Sequence, residues 1–162
     1  MHTFSDDRGR SAMSIFDRVA ALGDTQLQFN ASTMYAGAVK AWHRHFRQDD
    51  HWCVLSGSLK VGLFNTGEEP LAAHLSVATD APGGELLRTV SVGPGLGAVV
   101  YLGEHRTGVL HIPARMWHGG VAVGGRDALL LYCVTRRYDP ANPDEEREAW
   151  DAFAFDWGVG FK

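Results

Sequence analysis

At 162 residues, with 45% hydrophobic side chains and a formal net charge of −4, the chain is long enough for one buried core and too apolar for disorder. Its slight acidity gives no electrostatic case for nucleic acid or an anionic membrane. No apolar run approaches the roughly 18 residues of a membrane span, and early acids replace the apolar core of a secretory signal. Taken in chain order, residues 12–23 place Met13, Ile15, Phe16, Val19 and Leu22 at helical spacing, with Gly23 as a stop. Short β-rich runs follow at 36–43, 51–56, 58–65, 86–92, 98–102, 107–112, 117–123 and 128–135. Residues 66–84 read as a loop holding one short strand or helical turn at 71–78. Ser56-Gly57-Ser58 and Gly124-Gly125-Arg126-Asp127 read as hairpin turns. The tail 140–153 opens on Pro140 and Pro143 and reads as one short helix. Many short strands and nineteen glycines point to an all-β sandwich or barrel, one domain over 1–162. Cys53 and Cys133 lie in apolar runs and read as buried free thiols, fitting a reducing, cytoplasmic location.

The chemistry concentrates in residues 37–57. His43 and His45 are two apart, so on a strand both rings share a face. Asp50 follows seven residues after His43, and His118 adds an imidazole after the Pro113 turn. Imidazoles and a carboxylate inside a barrel can bind a metal or move protons. His51 alternates with Asp50 and is expected on the opposite face, while His74, His105 and His111 read as structural. Trp42, Trp52 and Trp117 alternate with the candidate residues and read as packing. The surplus of Trp42, Phe46, Trp52 and Phe64 exceeds what one small core takes, which points to a second copy of the chain.

Several motifs carry a resemblance. They are Asp7-Arg8-Gly9, the run Gly37-Ala-Val-Lys-Ala-Trp-His43, Gln48, and Val54-Leu-Ser-Gly-Ser-Leu-Lys-Val61. The second half adds Ile112-Pro-Ala-Arg-Met-Trp-His-Gly119, Leu131-Tyr-Cys-Val-Thr135 and Tyr138-Asp-Pro140. Along nearly its whole length the chain resembles the cupins related to dTDP-4-dehydrorhamnose 3,5-epimerase. The resemblance implies a double-stranded β-helix, the cupin jelly roll, here with short helical segments near the termini. It implies a cofactor-free epimerase or isomerase that removes a proton next to a sugar ketone, in deoxysugar, polysaccharide or natural-product biosynthesis. By position, His43 is the base and Tyr132 the opposed acid, and Lys40, Arg8, Gln48, Arg115 and His118 bind a nucleotide sugar. It also implies a homodimer in which an N-terminal strand crosses to the partner.

The chain departs from this group where its enolate-supporting lysine aligns with Asp50, where Lys40 replaces an arginine, and where Ala12 replaces a glutamate. The aspartate that pairs with the catalytic histidine there has no counterpart here. The same stretch also fits the spacing of metal cupins. His43, His45, Asp50 and His118 would suit divalent Fe, Mn, Ni, Co or Zn, giving an oxygenase or lyase. A third reading is a sugar-nucleotide-binding cupin without catalysis.

Overall fold

The computed structural model describes residues 2–13, 26–78, 84–105 and 108–158. They form thirteen strands: β1 (His2–Asp6), β2 (Gly9–Met13), β3 (Gln28–Met34), β4 (Val39–Arg44), β5 (Asp50–Ser56), β6 (Ser58–Phe64), β7 (Leu71–Ala78), β8 (Glu85–Val92), β9 (Gly97–Gly103), β10 (Gly108–Ile112), β11 (Trp117–Val123), β12 (Ala128–Val134) and β13 (Glu146–Arg147). Eight make one antiparallel sheet in the order β1-β2-β3-β12-β5-β10-β7-β8. Five make the other, in the order β13-β4-β11-β6-β9. The two sheets close face to face as a jelly roll, the expected cupin architecture.

The two short turns do not make hairpins. β5 belongs to the large sheet and β6 to the small one, so Ser56-Gly57-Ser58 carries the chain between layers. Gly57 has φ +76, and a Cβ there would sit 2.3 Å from the Asp127 carbonyl oxygen, so glycine is required. The second turn, 124–127, carries the chain back from β11 to β12 in the same way.

Other expectations also change. The tail 140–153 forms turns and β13 rather than a helix, because its backbone bonds to β4. Residues 12 and 13 of the expected first helix end β2, and 14–23 lie outside the described residues. Segment 71–78 is a full strand, paired along its length with β8. β3 escapes hydrophobic pattern reading because its inward positions are Gln28, Asn30, Ser32 and Met34. His74 stands on β7 rather than on a loop, and His111 stands on β10, within the strand expected over 107–112. The cysteines are free, as expected, but half-buried rather than buried.

The core between the sheets is aliphatic: Val54, Leu59, Val61, Leu63, Val100, Leu102, Leu110, Ile112 and Leu130. Each such side chain contributes about 1.5–3 kcal/mol on burial. A second apolar layer lies on the outside of the small sheet. There Phe153, Phe155 and Trp157 of the tail cover Trp42, Phe64 and Trp117. Phe64 and Phe153 stack with centroids 4.5 Å apart, and Trp42 meets Trp157 at 4.7 Å. The Trp42 and Trp157 indoles each donate to the Trp150 carbonyl at 3.0 Å. A Cβ at Gly62 would lie 2.6 Å from Trp157 and 2.8 Å from Trp42, so this layer needs a bare backbone beneath it. Trp42, Trp52 and Phe64 are thus buried within one chain, which removes the aromatic surplus as an argument for a partner. Phe46 alone of that set is exposed, beneath the Arg44 guanidinium at 4.8 Å.

Candidate active site

Strand alternation builds the site. β4 and β11 are neighbours, and His43 and His118 stand directly opposite each other. Trp42 and Trp117 point outward beneath the tail, so the next residue of each strand points inward. The two imidazoles meet with centroids 4.1 Å apart. From the facing sheet, Asp50, Trp52 and Val54 take the inward positions of β5. His45 enters from the link after β4.

Asp50 is the hub. It is 1% exposed. Its carboxylate accepts from the Trp52 indole at 3.0 Å and the Gln48 amide at 3.3 Å. His118 Nε2 lies 3.5 Å from one carboxylate oxygen and His45 Nε2 lies 3.7 Å from the other. Burial opposes ionisation of Asp50, but the facing His118, His45 and His43 rings outweigh it and hold the carboxyl far below its usual range. His43 moves the other way: burial, then His118 and His45, push it well below the ordinary imidazole value. It is neutral at pH 7.

The outer nitrogens fix the tautomers. His118 Nδ1 donates to the Met116 carbonyl at 2.8 Å, and His45 Nδ1 donates to the Asp144 carbonyl. In the neutral rings both Nε2 lone pairs then face the Asp50 carboxylate. His118 Nε2 is buried without a hydrogen-bond partner. Such a set wants a cation between its members, whether a proton or a metal ion. One ligand atom from each of His43, His45, Asp50 and His118 lies within 4.8 Å of the others, so the four residues fit a divalent ion.

Tyr132 reaches the same interior from the large sheet, opposite Trp52 across the β5–β12 pair. Burial, then the Asp50 and Glu145 charges, push its phenol well above the ordinary value, so it keeps its proton. Gln48 and His118 therefore join the cluster. Lys40 and Arg8 sit elsewhere, near the β1–β2 turn. Lys40 Nζ donates to Ser32 Oγ at 3.3 Å, and Arg8 pairs with Asp6 at 2.5 Å. Arg115 is exposed on the turn before β11, with φ 72. His51 faces outward, with its ring 4.9 Å from His111, and His111 bonds Asp49 at 3.0 Å.

Pattern reading missed five contributors. The sequence presents Trp52 as packing, yet it bonds Asp50 and stacks over His43 at 6.2 Å. Asn30 and Gln28 line the interior from β3. Glu145 and Arg147, whose charges bear on Tyr132, come from a tail whose sequence reads as helix. Only the polar inward alternation of residues 28–34 offered a signal.

No family model matches the chain. It is 35% identical over 130 residues to the probable low-salt glycan biosynthesis epimerase Agl13 of Haloferax volcanii, covering 79% of this chain and 69% of that one. It is 31% identical over 160 residues to the spore coat polysaccharide biosynthesis protein SpsL of Bacillus subtilis, covering 98% and 91%. Among solved structures, dTDP-4-dehydrorhamnose 3,5-epimerase from Elizabethkingia anophelis superposes with a TM-score of 0.61 at 17% identity, over 98% of this chain and 79% of that one. A CapF structure with a bound inhibitor gives 0.63 at 17% identity, covering 90% of this chain, which spans 33% of CapF.

Proposed function

The chain belongs to the dTDP-4-dehydrorhamnose 3,5-epimerase-like cupins, and from that premise we propose that it epimerises a nucleotide-linked keto sugar for polysaccharide or glycan assembly. The observation that carries the reading is the pairing of a neutral imidazole, His43, on one sheet with a protonated phenol, Tyr132, on the facing sheet. His43 takes the proton from the carbon next to the ketone. The C–H electron pair becomes the enolate double bond, and the carbonyl π pair moves to oxygen. Tyr132 returns a proton to the same carbon from the other face, which inverts it. Solvent then reprotonates the tyrosinate and accepts the proton from His43. Lys40 and Arg8, whose charges bear on each other, suit the diphosphate. The test is deuterium uptake from D₂O into a 4-keto-6-deoxyhexose nucleotide. Uptake by wild type that His43→Ala abolishes is expected; a wild type without uptake overturns the reading.

The tautomers around Asp50 favour a second reading, in which His43, His45, Asp50 and His118 hold a divalent ion. Such an ion would supply Lewis-acid polarisation of a bound oxygen. Within this reading the residues' own work is to hold and orient: Met116 and Asp144 carbonyls aim the two imidazoles, and Trp52 and Gln48 hold the carboxylate. Elemental analysis decides. Stoichiometric metal that disappears in His45→Ala supports it, and metal-free protein as isolated removes it. Neither metal nor exchange would leave a sugar-nucleotide-binding module.

The working form in this proposal is a cytoplasmic homodimer joined through the outer face of the large sheet. On β3, β12, β5, β10 and β7 that face carries no Lys, Arg, Asp or Glu, and it exposes Leu55, Val109 and Leu129. Among the described residues, β1 and β2 extend their own chain's sheet through β3. Light scattering should give twice 17.7 kDa, and Leu55→Glu should lower it towards one chain. No helix among the described residues is long and apolar enough to cross a membrane.

A further inference from the structure

Enolate chemistry needs a cationic or hydrogen-bonding partner near the ketone oxygen. Asp50 is a buried anion at the floor of the site and cannot supply it. Three other cations of the described residues are engaged elsewhere. Arg44 turns outward, bonded to Glu146 at 2.6 Å and lying 4.6 Å over the Trp117 ring. Lys40 is held at Ser32 beside the Gly9 turn. Arg115 is exposed on the turn before β11.

Arg147 is placed differently. It stands directly opposite His43 in the β13–β4 pair. Trp42 and Glu148, the next pair along, exchange both backbone bonds at 3.0 Å. His43 and Arg147 are therefore a non-bonded antiparallel pair, with Cα atoms about 4.5 Å apart and side chains on one face. That face is the inner one, since Trp42 points out. Glu145 sits two residues earlier on the same face. Its half-buried carboxylate holds Arg147 Nε at 2.5 Å, while the Arg147 side chain stays 71% exposed. One edge of the guanidinium is tied and the other is free at the rim. Among the described residues, Arg147 is the cation whose charge bears on both His43 and Tyr132.

We infer that Arg147 is a catalytic residue of this site, donating from its free guanidinium edge to the substrate's ketone oxygen as the enolate forms, with Glu145 as its positioning residue. The inference rests on the epimerase reading. It explains how an acid can occupy position 50: the positive charge comes from the tail strand instead. A guanidinium can offer the oxygen a fixed, planar edge of donors that stays charged, and an ammonium offers a point charge on a flexible stem.

The experiment is the same deuterium uptake into a 4-keto-6-deoxyhexose nucleotide, measured for wild type, Arg147→Met and Arg147→Lys. Arg147→Met should lose about 10²–10³ in kcat for exchange. Arg147→Lys should recover at least a tenfold part of that loss, with KM moving less than kcat in both. Melting should hold steady, since the β13 bonds to β4 are backbone bonds. If wild type exchanges and Arg147→Met keeps its kcat, Arg147 is not catalytic, although the epimerase reading stands. If wild type does not exchange, that reading falls and takes this one with it. If Arg147→Met melts early, Arg147→Lys decides: a folded lysine variant at the methionine variant's rate removes the role of charge.

Discussion

The two faces of β4 and β11 carry opposite chemistry on a two-residue period. Outward, Trp42 and Trp117 lie in an aromatic layer closed by Phe153, Phe155 and Trp157. Inward, His43 and His118 lie in a polar cluster around a single carboxylate. The outer face is held by contact area and by two indole bonds to one carbonyl. The inner face is held by charge, with His118 and His45 each aimed by a carbonyl oxygen behind it. The lesson is a division of labour within a strand. Dispersion fixes the backbone from outside, so the inner groups can keep neighbours that repel one another.

The largest expected effect breaks the inner face alone. His43→Ala should lower exchange by about 10²–10⁴, with melting nearly unchanged; an equal loss in folded fraction would mean the faces are not separable. Next, Trp42→Ala breaks the outer face and should destabilise by about 3–5 kcal/mol, read by denaturant unfolding. If catalysis per folded molecule survives it, the outer layer only supports the fold. A smaller effect is expected at the joint between the faces. The Asp144 carboxylate accepts from the Phe46 and Arg47 backbone N–H groups, at 3.1 and 2.9 Å, and its carbonyl aims His45. Asp144→Ala should cost about 1–3 kcal/mol.

The smallest effect is one of pH. Burial raises the Asp144 pKa, but the bonds from Arg47 and Phe46 win and leave it below its ordinary 3.8. A lowered folded value means the stability from its charge is full above the unfolded value and fades as pH falls through the folded one. The stability gap between wild type and Asp144→Asn should therefore be flat near neutrality and shrink below about pH 4. A gap that widens on acidification would show that the carboxylate is not ionised in the fold.

Much of this was legible in the chain. The His43, His45, Asp50 and His118 spacing located the cluster: the strand period of two turns His43, Asp50 and His118 inward on β4, β5 and β11, while His45 joins them from just past the end of β4. The strands from β4 to β12, β7 apart, showed because their inward positions are mostly apolar. β3 did not, since Gln28, Asn30 and Ser32 occupy its inward face. Glu145 and Arg147 were hidden for another reason. Asp-Glu-Glu-Arg-Glu has helical propensity, and only pairing with β4, about a hundred residues earlier, extends it. The role of the outer tryptophans needed the tail's position, which no local pattern encodes.

Trp52 has a consequence for observing this molecule. Of the tryptophans, it alone faces the cavity, bonded to Asp50 and stacked over His43. Trp42, Trp117 and Trp157 lie behind the small sheet, and Trp150 is exposed. Indole emission is sensitive to a cation or a charged imidazole at short range. The site thus carries its own optical reporter. A titration with substrate or metal should change a signal that Trp52→Phe removes, with no label added.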